Sequence, residues 1–311
     1  MSFTVRYRHF WPGFHAENSL LHVLLSKIVG SRIEIISDPS QMVDLEFQSV
    51  YRNGSVSRQA FDRLKMLAGK MEYFDYVEKY RHGFSKLDIP RARRSIWYTA
   101  ENFRNPNSIF SGAIGFDQTD LHRNSLYFPF WMYRLDWGLG NELSEIAPKP
   151  ENLMRERSVE LPDKNSVCVF SSTRDPGRMR LISILESTME VVKFGSGFNA
   201  RVSSKLETAR GYRYQLSPEN SLTSGYVTEK ITESWVCGNL PIWEGIHVDK
   251  IFNPSSFIDV TRKTAEQIIS ELEGTTNDEW LWRMNQPLLC ELPTIEPLQK
   301  FLKRILDTAA E

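Results

Sequence analysis

One stretch, Tyr212–Gly245, constrains this chain more than any other: YRYQLSPENSLTSGYVTEKITESWVCGNLPIWEG. Apolar and polar residues alternate over Tyr212–Leu216, the pattern of a short strand. Ser217–Gly225 then supplies the Ser, Asn, Thr and Gly of a polar turn. Tyr226–Cys237 sets Val227, Ile231 and Ser234–Trp235 at helical spacing. Gly238-Asn239 stops that helix, and Leu240–Trp243 reads as a second strand. Strand, polar loop, helix start and returning strand make a βαβ unit, the building block of a parallel α/β sheet.

The start of such a helix is where phosphates bind, because its first N–H groups lack partners and its dipole is positive there. Thr228 fits the N-cap, which places Glu229 and Lys230 in the first turn. A carboxylate is comfortable at that position and a lysine is not, so Lys230 asks for an anion. A nucleotide phosphate would supply one. On spacing alone an ordinary capped surface helix fits as well, and the two readings stay open at this point.

At 311 residues the chain suits two domains. Its 41% hydrophobic and 25% charged residues are those of a globular protein, and a net charge of −1 excludes a global field drawing it to nucleic acid. Cys168, Cys237 and Cys290 lie far apart with no CxxC pair, which reads as free, mostly buried thiols in a reducing compartment. MSFTVRYRHFW has no apolar core of a signal peptide, and no segment has the apolar length to span a bilayer. The six histidines show no metal spacing, and Asp117–Asp120 is the one carboxylate pair with any such look.

In chain order, Phe3–Arg8, Arg32–Ile36 and Val43–Phe47 read as strands, with a helix over Glu17–Val29, the opening of a doubly wound domain. Residues 52–94 carry two basic, aromatic helix-like patches and end in Arg91-Ala92-Arg93-Arg94. They read as an insertion, either a helical hairpin with one solvated face or a basic surface for an anionic lipid-linked glycan or membrane. Ser95–Thr99 is the next strand, and Pro148–Lys164 is the expected linker. Val167–Phe170 runs into a polar loop and a helix at Met179–Ser187, with Arg174 and Arg180 expected in solvent. Val191–Phe194 leads to Gly195-Ser196-Gly197-Phe198-Asn199. Phe257–Val260 is a last strand. Helices follow at Thr264–Leu272, Asp278–Met284 and Pro297–Ala309.

Glu219-Asn220-Ser221, Tyr226–Ile231 and Leu240-Pro241-Ile242, at their fixed spacings, resemble the signature of the α-1,3-fucosyltransferase family, glycosyltransferase family 10. Trp97–Asn102 with Ala113–Asp117 resembles the family's second block. The resemblance implies an α/β fold of the GT-B type: two Rossmann-like domains facing a cleft. The first spans 1–150 and binds the acceptor, the second spans 160–290 and binds GDP-fucose, and a terminal helix over 291–311 crosses back. It implies an inverting transfer of L-fucose from GDP-β-L-fucose to a glycan hydroxyl. The implied acceptor is GlcNAc, α-1,3-linked, in an N-acetyllactosamine-like or O-antigen unit, free or lipid-linked.

By the same resemblance Glu101 is the general base, suitably placed at a strand's carboxyl end. Arg178 grips the diphosphate with its planar fork. Gly195, Asn199, Glu219, Asn220, Tyr226, Thr228, Glu229 and Lys230 complete the donor pocket, with Glu229 on the ribose or fucose ring. Trp11, Phe14 and Asn102 are candidates for the acceptor. No obligatory metal and no nucleic-acid partner are implied. Animal members are membrane-anchored, and this chain resembles the soluble bacterial type, so a cytoplasmic place, with or without peripheral contact at the inner membrane, is expected.

Three positions depart from the family pattern. Ala100 replaces a glycine, Leu121–Pro129 keeps only Arg123, Leu126 and Pro129 of an arginine-rich tract, and Trp243-Glu244-Gly245 replaces an aromatic-Gly pair. If that arginine tract sets acceptor choice or holds the cleft, acceptor identity does not carry over. A transferase for another GDP-deoxysugar, and a GDP-sugar or glycan binder without transfer, remain as alternatives.

Overall fold

The computed structural model describes residues 2–11, 13–50, 89–103, 109–117, 124–157, 159–247 and 250–308. They divide into two compact units, Met1–Phe128 with Glu296–Glu311, and Pro129–Ile295. The basic stretch expected as an insertion lies outside the described residues from 52 to 88.

In the first unit β1 (Phe3–Arg8) is followed by α1 (Leu20–Val29), β2 (Ile33–Ile35), β3 (Val43–Gln48), β4 (Ala92–Tyr98), β5 (Gly112–Gly115) and β6 (Ser125–Tyr127). They form one sheet in the order β2-β1-β3-β4-β5-β6, every pair parallel. Leu20, Leu21, Leu24 and Leu25 make the buried stripe of α1, the periodicity its sequence shows. Ser19 caps the helix by accepting from the His22 N–H, and Gly30 ends it in the left-handed region. The helix is shorter at its start than the spacing predicts, because Ala16–Asn18 forms a separate tight turn. The strands alternate: Leu45 and Phe47 share one face of β3, Glu46 and Gln48 the other. Buried Glu46 is matched by Arg6 at 2.8 Å and Arg8 at 3.5 Å, as a sealed carboxylate must be.

The tract Arg91–Arg94 is a correction. Ala92 and Arg94 pair with Val43 and Leu45, so the strand begins here and not at Ser95. The outward Arg93 meets Asp44 at 3.5 Å, which is how an edge of two arginines is accommodated in a strand.

The second unit begins with α2 (Phe130–Tyr133) and α3 (Pro150–Leu153). Its sheet strands are β7 (Lys164–Phe170), β8 (Glu190–Phe194), β9 (Tyr212–Leu216), β10 (Leu240–Trp243) and β11 (Ile258–Asp259). Its later helices are α4 (Pro176–Glu186), α5 (Lys205–Ala209), α6 (Lys230–Val236), α7 (Ala265–Gly274) and α8 (Asn277–Asn285). The sheet order is β11-β10-β9-β7-β8, again all parallel. Leu181, Ile182 and Leu185 of α4 pack with Ile268 and Trp280 against Val167, Tyr214 and Ile242 on one face. Ile231 and Trp235 of α6 pack with Trp131, Leu135 and Leu153 in another core. That second core explains why the division falls at Phe128 and Pro129 and not near 150: the apolar residues of Phe130–Leu153 are spent on α6.

The closing helix, α9 (Glu296–Asp307), belongs to the first unit. Phe301 and Ile305 come so close to β5 that a Cβ at Gly112 would lie 2.7 Å from the Phe301 ring.

Candidate functional site

In the second sheet β7 has β8 on one side and β9 on the other, so the chain winds outward in both directions from it. Ligands of open α/β sheets bind at the carboxyl ends of strands at such a switch point. Three loops meet there, following β7, β8 and β9.

The first loop is tied by Ser171, whose Oγ donates to the Thr173 carbonyl at 2.6 Å. Asp175 then caps α4 by accepting from the N–H groups of Gly177 and Arg178 at 2.9 and 3.2 Å. Pro176 at the first helical position costs no hydrogen bond. Arg178 is 7% exposed and links two loops. Nη1 donates to Ser171 Oγ, and Nη2 donates to Asn220 Oδ1 at 3.2 Å. Burial pulls its guanidinium below the usual value, and Asp175 and Glu219 act against that shift.

The second loop turns at Gly195, whose φ is +103°, and at Asn199, φ +57°. The Gly197 N–H donates to the Ser171 carbonyl at 3.0 Å, so the second loop lies directly on the first. A Cβ on Gly195 would overlap that same Ser171 carbonyl oxygen, and the positive φ disfavours any side chain as well. Gly195→Ala is therefore expected to cost at least about 2 kcal/mol of stability and to weaken nucleotide binding. Thermal denaturation and GDP titration of the variant check this, and unchanged values would mean that the two loops can separate freely.

The third loop carries Glu219, 6% exposed. Its carboxylate accepts from Thr228 N at 2.9 Å and from Thr228 Oγ1 at 2.7 Å, and Lys230 Nζ stands 3.4 Å from Oε2. Lys230 also donates to Thr228 Oγ1 at 2.7 Å. The expected N-cap is thus corrected. Glu219 takes both the hydroxyl and the N–H of Thr228, the cap residue is Glu229 without a side-chain bond, and α6 begins at Lys230. Glu219 is also the anion that Lys230 meets in this structure. Buried Tyr226 ends the turn by donating its N–H to the Thr223 carbonyl at 3.0 Å. Glu229 is half-buried, and its Oε2 is sealed with no hydrogen-bond partner among the described residues. Burial would raise the Glu229 carboxyl, yet Lys230, its own N–H, Lys205 and Arg134 hold it below the usual range.

Arg174 and Arg180 are exposed, as expected, and each also has a partner. Arg174 Nε donates to the Gly197 carbonyl at 2.8 Å, and Arg180 Nη2 to Glu244 Oε1 at 2.9 Å. Glu244 is largely buried, and burial raises its carboxyl despite Arg180. Sequence reasoning missed Ser171, which holds Arg178, and the short helix α5. The Ser204-x-x-Glu207 spacing signalled that helix: Ser204 Oγ accepts from the Glu207 N–H at 3.1 Å.

The structure brings Arg178, Gly195, Asn199, Glu219, Asn220, Tyr226, Thr228, Glu229 and Lys230 onto the three loops of one sheet edge. A model of the glycosyltransferase family 10 (fucosyltransferase) C-terminal domain matches residues 162–284, the span that holds all nine. Residues 162–284 are thus similar to that family's C-terminal domain.

The chain is 31% identical over 204 residues to the alpha-(1,3)-fucosyltransferase FucT of Helicobacter pylori, a match that covers 56% of this chain and 42% of that protein. It thus spans less than half of that relative's length. A crystal structure of an alpha1,3-fucosyltransferase with GDP matches 100% of this chain and 92% of that one, with a TM-score of 0.68 at 21% identity. The corresponding structure with GDP-fucose matches 99% and 91%, with a TM-score of 0.65 at 20% identity. These likenesses show a shared two-unit α/β fold, the GT-B arrangement of two parallel-sheet units.

In the first unit Glu101 follows β4 at the carboxyl end of its strand. Thr99 ties the turn: its Oγ1 donates to the Glu101 carbonyl at 2.7 Å and accepts from the Glu101 N–H at 3.2 Å. Asn102 comes next, half-buried. Trp11 and Phe14 pack in a ring cluster: Phe14 stacks on Phe10 at 4.1 Å, Trp11 meets Phe14 edge-on at 5.0 Å, and Phe10 stacks on Tyr98 at 5.7 Å. Asp120 and Arg123 lie outside the described residues. Among the described residues no three His, Cys, Asp or Glu side chains cluster to hold a metal, and no helix is long and apolar enough to cross a membrane.

Proposed function

We propose that this chain is an inverting fucosyltransferase that moves L-fucose from GDP-β-L-fucose to a glycan hydroxyl, in α-1,3 linkage to GlcNAc. The observation that carries the reading is the Arg178–Asn220 and Glu219–Thr228–Lys230 set on one strand edge of the span similar to the family 10 C-terminal domain. Arg178 and Lys230 meet the charge that develops on the departing diphosphate, the electrostatic contribution that usually weighs most. A donor phosphate offers Lys230 a second anion beside the Glu219 carboxylate, which it meets at 3.4 Å. Glu229 turns its carboxylate toward a ribose or sugar hydroxyl, where a carboxylate also favours oxocarbenium-like charge. Glu101 takes the proton of the attacking acceptor hydroxyl, which strikes the anomeric carbon from the face opposite GDP. Two cationic side chains in this role support a transfer with no obligatory divalent metal.

The test is GDP release from purified protein given GDP-fucose, with and without an N-acetyllactosamine acceptor, in the presence of EDTA. Acceptor-stimulated, EDTA-resistant release is expected. Absence of GDP-fucose binding would overturn the donor assignment.

A second reading keeps the nucleotide and changes the sugar. The Arg180–Glu244 pair puts a carboxylate directly after Trp243, where the family pattern has a glycine, and the Glu244 carbonyl accepts from Glu219 N at 2.8 Å. A GDP-deoxysugar bearing an extra hydrogen-bond donor fits that difference. Competition for binding between GDP-fucose and an amino-bearing GDP-deoxysugar such as GDP-perosamine distinguishes the two.

A further inference from the structure

One half-buried cation beside these loops is not used by the mechanism above. Lys205 opens α5, and its ammonium donates to Glu233 Oε2 at 2.6 Å while standing 5.4 Å from the centre of the Phe170 ring. Its backbone is held as well: Glu145 Oε1 accepts from Lys205 N at 3.0 Å and from Ser204 Oγ at 3.2 Å. Burying an ammonium costs several kcal/mol, and a structural pair of this kind is commonly replaceable by apolar side chains. The positions of its partners suggest what this one does. Phe170 ends β7 and precedes Ser171, which holds Arg178. Glu233 lies one turn beyond Glu229 on the same face of the chain, and its N–H donates to the Glu229 carbonyl at 2.8 Å.

We propose that Lys205 is a positioning residue of the donor site: it clamps Glu233 against the end of β7, and so holds the opening turn of α6, with Glu229, beside the Ser171–Arg178 loop. The inference rests on reading Glu229 as a donor contact. Three cations face the Glu229 carboxylate, Lys230 from its own segment, Lys205 from α5 and Arg134 from the end of α2. Lys205 in turn faces Glu233, Glu229 and the Cys237 thiol. Burial would lower the ammonium, but the two carboxylates hold it above its usual value, so it keeps its charge. The thiol is pushed up to about 12 by burial and stays neutral beside it.

Removing a cation from beside a carboxylate raises that carboxyl, so the charge on Glu229 is then lost at a higher pH as the solution is acidified. GDP affinity measured by calorimetry from neutral to acidic pH reads this directly. The phosphate titration of GDP itself is common to every variant. Lys205→Met is expected to move the acid limb of the affinity profile upward by about one pH unit, whereas Lys205→Arg leaves it in place. Lys205→Met paired with Glu233→Gln leaves no orphaned charge and keeps the fold testable, and it is expected to show the same displacement. A wild-type limb in that double variant would mean that Lys205 merely neutralises Glu233, which overturns the proposal. Glu229→Gln separates the two layers: if it binds GDP as wild type does, the reading of Glu229 has failed. If it weakens binding while both Lys205→Met variants keep the wild-type limb, Lys205 alone has lost its role.

Discussion

Glu101→Gln is expected to lower transfer by about 10²–10⁴-fold while leaving GDP binding unchanged. The substitution keeps the shape of the side chain and removes only its ability to accept a proton. The turn that carries it is set by Thr99, through bonds of 2.7 and 3.2 Å to the backbone of residue 101, so the amide occupies the same place. Single-turnover kinetics with GDP-fucose and acceptor measures the loss, and GDP titration supplies the control. A base acts on the acceptor hydroxyl in the transition state and contributes nothing to ground-state nucleotide binding, so the effect belongs in kcat. Turnover near wild type would remove Glu101 from the mechanism and shift attention to another carboxylate on the first unit.

The second large effect is at Arg178. Arg178→Met is expected to weaken GDP binding by about 100-fold, equivalent to about 2.7 kcal/mol, and to lower the melting temperature as well. Two separate losses combine. The diphosphate loses a charge-assisted donor already desolvated at 7% exposure, and Ser171 Oγ and Asn220 Oδ1 lose the group that joins them. Arg178→Lys keeps the charge and loses the planar fork, so it is expected to recover only part of the affinity. The contrast between the two variants separates charge from geometry. A lysine variant with full affinity would mean that the fork is not used. An unchanged melting temperature in Arg178→Met would mean that the loops hold together without it.

Much of this was legible in the chain. Alternation marked Phe3–Arg8 and Tyr212–Leu216, and short apolar runs bounded by turn residues marked most of the other strands, because strands of a parallel sheet are buried almost continuously, as the four residues of β10 are. The leucine stripe of α1 and the strand–loop–helix–strand order of Tyr212–Trp243 were equally plain. Boundaries were less so. Arg91–Arg94 looked like a basic tail, yet it forms the first half of β4, because strand pairing with Val43–Leu45 and an ion pair to Asp44 outweigh its charge. Helix α6 was drawn several residues too long, since Tyr226–Glu229 has helical spacing but its N–H and hydroxyl at Thr228 are claimed by Glu219 from nine residues away.

By itself, then, the order of residues determined the class of fold and which loops carry the candidate chemistry. Hydrophobic period, turn residues and the spacing of the Glu-Asn-Ser and Thr-Glu-Lys motifs are local properties, and local properties survive in one dimension. Only the tertiary structure decided how those loops are held. Arg178 reaches Ser171 and Asn220, Lys205 reaches Glu233 and Phe170, and Arg180 reaches Glu244 across distances in sequence that no periodicity spans. Each of these contacts exists because burial makes an unpartnered charge costly, so the partner is chosen by what the fold brings near and not by what lies beside it in the chain.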